Sequence, residues 1–259
     1  MKKIAFFVLF SWILSSCQKV VSLGLNQTAP QFGIQGIISD TAGPYHVLIY
    51  KSVGFYSGNV YPNVSGASVS ITDITAGITD SLTETAMGDY TTHTIIGTPG
   101  DTYQLKVIAD GTTYMASSTM PQPVLLDSIT FDNQTKNTIR AVVHFQDPAG
   151  TANFYKYSTA VNGVVMNRFQ TFEDRLSDGR YITDKLDNDS SEIKNNDLVR
   201  VSLVSIDSKV FTFLSEAEKV AYQNDQLSAP ATPISNISGG CLGYFSAQTV
   251  RSKDGYVKF

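Results

Sequence analysis

From about Pro30 onward the chain is patterned in twos rather than in threes and fours. Val69 and Ile71 alternate with Ser68, Ser70 and Thr72, and Tyr103, Leu105, Val107 and Ala109 alternate with polar neighbours. Such alternation gives a strand one buried face and one wet face. The pattern predicts strands at Phe32–Ser39, Tyr45–Ser52, Ala67–Thr72, Gly77–Thr83, Gly88–Thr92, Thr102–Ala109 and Thr112–Thr119. Asp110-Gly111 between the last two is a tight hairpin signal. About seven strands in so short a stretch fit an immunoglobulin-like sandwich.

Met120-Pro121-Gln122-Pro123 interrupts this pattern, because alternate prolines hold the backbone extended and remove ladder donors. Further strands are predicted at Asp127–Phe131, Ile139–Gln146, Phe154–Val161, Val164–Thr171, Val199–Ile206 and Tyr244–Lys253, with Asn162-Gly163 as a second hairpin turn. One stretch follows helical spacing instead. Phe211, Leu214, Glu218 and Ala221 recur at intervals of three and four within Ser208–Asn224, with Ser208 placed to cap it. The expected fold is all-β, with an N-terminal immunoglobulin-like sandwich over residues 31–121. A larger β-rich domain with one helix follows over 122–259.

The opening of the chain is different. Lys2-Lys3 precedes an apolar run from Ile4 to Leu14, too short to span a bilayer, and then Ser15-Ser16-Cys17. This resembles the lipobox of bacterial lipoproteins. The resemblance implies that residues 1–16 are a signal peptide and that Cys17 carries lipid at the new N-terminus. Residues 17–30, polar and aperiodic, read as a tether. Trp12, the single tryptophan, lies within the signal.

Composition then excludes several roles. A net charge of -4 without any basic run argues against nucleic acid as a partner. With Cys17 lipidated, Cys241 has no intramolecular partner and the fold is not stapled by disulfides. Its glycine-rich flanks predict a close-packed turn and a buried thiol. His46, His93 and His144 stand apart, without a metal-ligand spacing. There is no G-x-S-x-G motif and no glycine-rich phosphate loop. His144 is expected on the wet face of its strand. Asp187, Asp189 and Ser191 imitate the start of a calcium loop, but Glu192 and Leu198 stand where Gly and Glu belong. Glu173-Asp174 and Asp178-Gly179 read as a turn. No cofactor and no metal are therefore expected.

Tyrosine and phenylalanine are abundant, at 13 and 14. Phe55, Tyr56 and Tyr61 crowd one loop of Gly, Asn and Pro ending at Pro62, and aromatic side chains there are candidates for partner contact.

A wider resemblance rests on ordered segments. Pro30-Gln31 leads into Ile34-Gln35-Gly36-Ile37-Ile38-Ser39-Asp40 and Gly43-Pro44-Tyr45. Val64-Ser65-Gly66-Ala67-Ser68-Val69-Ser70-Ile71-Thr72-Asp73, Gly100-Asp101-Thr102-Tyr103, Gly111-Thr112-Thr113-Tyr114 and Ser118-Thr119-Met120-Pro121 follow. Asn236-Ile237-Ser238-Gly239-Gly240 then precedes Leu242-Gly243-Tyr244-Phe245-Ser246-Ala247. Together they resemble the DUF4249 family, lipoproteins of the Bacteroidota. The resemblance implies a β-sandwich followed by a larger β-rich domain, and association with a TonB-dependent outer-membrane transporter. Gln18-Lys19-Val20-Val21-Ser22 lacks the carboxylates that surface lipoproteins of that phylum often carry after the lipidated cysteine, so the face of the membrane stays open. The resulting expectation is an outer-membrane lipoprotein, held by lipid on Cys17, that acts as a non-catalytic accessory or binding component of a transport system. The alternatives are an envelope hydrolase using carboxylates and a structural scaffold.

Overall fold

A computed structural model describes residues 30–54, 60–135, 138–187, 193–222 and 232–259. Its strands begin with β1 (Phe32–Ser39), β2 (His46–Lys51), β3 (Ser68–Asp73) and β4 (Ile78–Ser81), then β5 (Thr83–Ala86), β6 (Asp89–Thr91), β7 (Thr102–Ala109) and β8 (Thr112–Thr119). After the proline break come β9 (Ser128–Thr135), β10 (Thr138–Gln146), β11 (Phe154–Val161), β12 (Val164–Glu173), β13 (Tyr181–Lys185) and β14 (Leu198–Ile206). Helix α1 (Ser208–Tyr222) and β15 (Leu242–Tyr256) complete the order. The fold is all-β with one helix.

The hairpin signals act as their chemistry requires. Asp110 and Gly111 both take positive φ (47° and 75°), as do Asn162 and Gly163 (50° and 85°). Two left-handed residues give the turn whose twist matches the flanking strands. Ala109 accordingly pairs with Thr112, and Val161 with Val164.

Three sheets result. A four-stranded sheet runs β4-β3-β7-β8, a three-stranded sheet β13-β10-β9, and an eight-stranded sheet β12-β11-β14-β15-β1-β2-β6-β5. The first core lies between the four-stranded sheet and the β15-β1-β2-β6 part of the large one. Val69, Ile71, Tyr103, Leu105 and Val107 meet Ile34, Val47, Ile49, Tyr90 and Phe245 there, all of them buried. The second core lies between the three-stranded sheet (Ala141, Val143, Phe145) and β11 and β14 (Tyr155, Tyr157, Val199, Val201, Leu203). A third, smaller cluster forms where α1 puts Val210 and Leu214 against Val204, Ile206 and Tyr244. Residues 204 and 206 have the opposite parity to 199, 201 and 203, so the helix covers the other face of the large sheet.

Strand β15 joins these parts. Its first portion pairs parallel to β1 (Leu242 opposite Gly33, Gln248 opposite Ser39). Its second portion pairs antiparallel to β14 (Thr249 opposite Ser205, Tyr256 opposite Leu198). At Gly243 φ is +100°, and a Cβ would lie 2.0 Å from the Ile34 carbonyl oxygen, so only glycine lets the two strands approach.

The structure departs from the sequence reading at several points. The first core extends beyond residues 31–121, because Ile237, Cys241, Phe245 and Ala247 are buried in it. The strand expected at Gly77–Thr83 divides at Leu82 into β4 and β5, which belong to different sheets. The adjacent Asp80 turns inward, and one of its oxygens accepts the N–H groups of His93, Thr94 and Ile95 at 2.9, 2.7 and 2.9 Å. Strand β13 had no expectation, since Ile182 is its only buried apolar residue. The helix is capped by Asp207 rather than Ser208. Asp207 Oδ1 accepts from the N–H groups of Lys209 and Val210 at 2.8 and 2.9 Å. The other Asp207 oxygen accepts from the buried Ser118 hydroxyl, whose oxygen in turn accepts the Ala247 N–H at 2.9 Å.

Candidate functional site

Of the residues singled out from sequence, Cys17, Phe55 and Tyr56 lie outside the described residues, as do Asp189, Ser191 and Glu192 of the calcium-like stretch. Among the described residues no helix is long and apolar enough to cross a membrane. Tyr61 is placed. The returning arm of its loop runs beside β2, with the Lys51 N–H donating to the Pro62 carbonyl at 2.8 Å and Tyr50 bridged to Asn63. The Tyr61 ring meets Tyr50 edge to face at 5.7 Å, yet the residue is 50% exposed, and neighbouring Val60 is 80% exposed.

The histidines are engaged by polar neighbours, His46 and His144 on strands and His93 in the bend after β6. His46 Nδ1 lies 2.8 Å from Asp89, and His93 Nε2 lies 2.8 Å from the Thr83 hydroxyl. His144 sits between the hydroxyls of Thr130 (2.8 Å) and Thr183 (3.2 Å), on the strand face opposite the buried Val143 and Phe145. Cys241 is a free, buried thiol in the first core. Burial pushes its pKa up to about 11.

Three carboxylates converge where the sequence reading saw only turns. Asp147 directly follows β10 and Asp174 directly follows β12, while Asp178 lies in the turn before β13. One oxygen of each lies within 4.8 Å of the other two. Asp147 is 1% exposed, Asp174 is 2% exposed, and Asp178 faces solvent. Two facing loops build the arrangement. The Gly179 N–H donates to Asp147 Oδ2 at 3.0 Å, and the Gly150 N–H donates to Asp178 Oδ1 at 2.8 Å. Gly179 has φ +69°, and a Cβ on it would meet that of Ala149 at 2.6 Å, so the close approach of the loops requires glycine. From below, the Tyr155 hydroxyl donates to Asp147 Oδ1 at 2.5 Å. Burial, with the Asp147 charge beside it, pushes Tyr155 well above the usual phenol range. Burial also pushes Asp174 above the usual carboxylate range, joined by the negative charges of Asp147 and Asp178. These oxygens are the described group that could hold a hard cation. The Asp-Pro-Ala-Gly run at 147–150 was the missed signal, because nothing in the sequence tied it to the acidic turn after β12.

A further concavity, about 550 Å³ and open to solvent, lies between β12 and α1, lined in part by Phe172, Arg175, Phe211 and Lys219. Glu218 reaches across it to accept from the Thr171 N–H (2.9 Å) and hydroxyl (2.6 Å), which fixes the helix to the edge strand. The ammonium of nearby Lys156 lies 5.5 Å from the Phe169 ring centre, and burial lowers its pKa.

No curated protein matches the chain. A family model described as a domain of unknown function, DUF4249, matches residues 19–254. That match takes in all three sheets, the helix, the convergent aspartates and nearly all of the strand joining the two main cores, and the chain belongs to the DUF4249 family.

Proposed function

We propose that this chain is a lipid-anchored, non-catalytic binding component of a bacterial outer membrane, working beside a TonB-dependent transporter and contacting its partner through the loop ending at Pro62. The lipobox-like Leu14-Ser15-Ser16-Cys17 supports the anchor, and the polar stretch 18–30 spaces it from β1. The observation that carries the binding reading is the exposure of Val60 and Tyr61 at the described end of the aromatic loop. Apolar and aromatic residues held out of the parent core are typical of interface anchors. In the hydrolase alternative the buried carboxylates would be reacting groups. Both oxygens of Asp147, however, already accept hydrogen bonds from Tyr155 and Gly179.

The test is co-purification from native membranes. Replacing Phe55, Tyr56 and Tyr61 by Ala is expected to release the transporter while the melting temperature stays within a few degrees of wild type. Loss of stability with full retention of the partner would remove the loop from the interface. Mass spectrometry of membrane-extracted protein checks the anchor, with cleavage before Cys17 and an added diacylglycerol as the expected result. An unmodified Cys17 would overturn it.

A further inference from the structure

We infer that Asp147, Asp174 and Asp178 form a calcium site that pins the loop after β10 to the turn after β12. This site is independent of the aromatic loop.

Proximity of acidic groups alone would not require an ion. The decisive feature is how their oxygens are satisfied. Asp147 receives a donor on each oxygen, and Asp178 Oδ1 receives the Gly150 N–H. Asp174 is 2% exposed, and its Oδ2 has no hydrogen-bond donor. A second buried acceptor without a donor, Asn153 Oδ1, belongs to the residue whose carbonyl accepts the Asp174 N–H at 3.2 Å. A buried carboxylate oxygen without a donor, next to a second buried carboxylate, leaves the site short of positive charge. A metal ion supplies that charge without needing a hydrogen-bond donor.

The donor set selects the ion. All the oxygens are hard, which excludes soft metals that seek thiolate or imidazole. Oxygens on opposite sides of calcium, each at about 2.3–2.6 Å, are up to about 5 Å apart. The mutual spacing within 4.8 Å fits that span. Magnesium demands regular octahedral bonds of about 2.0–2.1 Å and gives up water reluctantly. Carboxylates from two irregular loops suit the more tolerant calcium. Exposed Asp178 closes the solvent side and leaves room for water ligands.

The geometry also assigns a role. Asp147 follows a strand of the three-stranded sheet, whereas Asp174 follows an edge strand of the eight-stranded sheet. An ion between them ties the two layers of the second core together at one end.

The experiment uses the full chain, stripped with a chelator and titrated with calcium chloride by calorimetry and thermal melting. One calcium per chain is expected. The melting temperature should rise by about 5 °C or more at roughly 100 times Kd. Terbium should bind in its place and emit on excitation of tyrosine, since the Tyr155 hydroxyl is 2.5 Å from a ligand carboxylate, and calcium should quench that emission. Asp178→Asn, at an exposed position, should fold as wild type by circular dichroism and bind calcium about tenfold more weakly or worse. Asp174→Asn should abolish binding. Absence of a calcium response, binding unchanged in both variants, or tighter binding of magnesium would overturn the assignment. So would a calcium-independent gain in stability on mild acidification, which would mean that a shared proton holds the pair.

Discussion

Cutting the chain at the proline break tests how the first core is completed. A fragment of residues 31–121 keeps β1 to β8 but loses Ile237, Cys241, Phe245 and Ala247, which are 5%, 5%, 0% and 0% exposed in the intact protein. Truncating a buried Phe costs about 3–5 kcal/mol, and a buried Ile about 2–5 kcal/mol. The fragment also leaves β1 without its parallel partner from Gly33 to Ser39. These losses together are of the order of the total stability of a domain, about 5–15 kcal/mol. The fragment alone is therefore expected to be unfolded or molten. Adding a peptide of residues 232–249 should restore it in a concentration-dependent way, because the peptide binds only the folded form. Far-UV circular dichroism and urea melts with and without the peptide make the measurement. In the full chain, Phe245→Ala should lower the melting temperature by about 6–20 °C, from about 2–4 °C per kcal/mol. A fragment that melts cooperatively on its own, indifferent to the peptide, would refute the claim that β15 completes the sandwich.

Glu84 offers a pH test. Bonds from the Ser65 hydroxyl, the Gly66 and Gly88 N–H groups and the Tyr90 hydroxyl lower its pKa from 4.5 to about 2. A depressed folded pKa gives stability that is present above 4.5 and disappears as pH falls toward 2. The melting temperature of wild type should thus fall more steeply across that window than that of Glu84→Gln, and parallel curves would count against it. Asp207→Ala removes the cap of α1 and the acceptor for Ser118, and should cost about 2–4 kcal/mol in urea denaturation. A loss under about 0.5 kcal/mol would show that the link is idle. Cys241 should label slowly with a maleimide in the native state and fully in denaturant, since its thiol is buried with a pKa near 11. Rapid native labelling would contradict the structure.

The sequence was legible where one face of a strand is wet. Tyr103, Leu105, Val107 and Ala109 alternate with their neighbours because the outer side of β7 meets solvent, and all four are buried. Ala141, Val143 and Phe145 are likewise buried in β10, although Val142 between them is buried too. Legibility fails where both faces are covered or neither is. From Gly243 to Ala247 every residue of β15 is buried, because Phe245 faces the first core while Tyr244 faces the cluster under α1. No alternation survives there to show the strand's register or to reveal that it serves two cores. Strand β13 fails for the opposite reason, with one buried apolar residue and no run on either side. Asp80 fails because a carboxylate reads as surface, and its burial is understandable only once the three N–H groups it collects are known.

The convergent aspartates were hidden by a different cause. Asp174 and Asp178 were visible as a turn, but Asp147 reaches them only through a chain of pairings between sheets. Strand β10 pairs with β13, so the chain after the acidic turn runs beside the loop that follows β10. Strand β12 pairs with β11, which places Tyr155 under both. No local spacing encodes that meeting. The same dependence on distant pairing argues against treating the proline break as a hinge. Strand β15 passes from one core into the other without interruption. In its second portion the Val250 N–H donates to Asp40 at 2.9 Å, and the Arg251 guanidinium donates to the same carboxylate at 2.6 Å, just beyond the end of β1. Ser118 ties β8 to the cap of α1 across the same seam. A bend at residues 121–123 would break the continuous ladder and both polar ties together. On the proposed reading, β1 carries β2, and β2 in turn holds the returning arm of the aromatic loop at Pro62. Co-purification should accordingly be sensitive to Phe245→Ala, which loosens β15 against β1, even though Phe245 itself is buried and touches no partner.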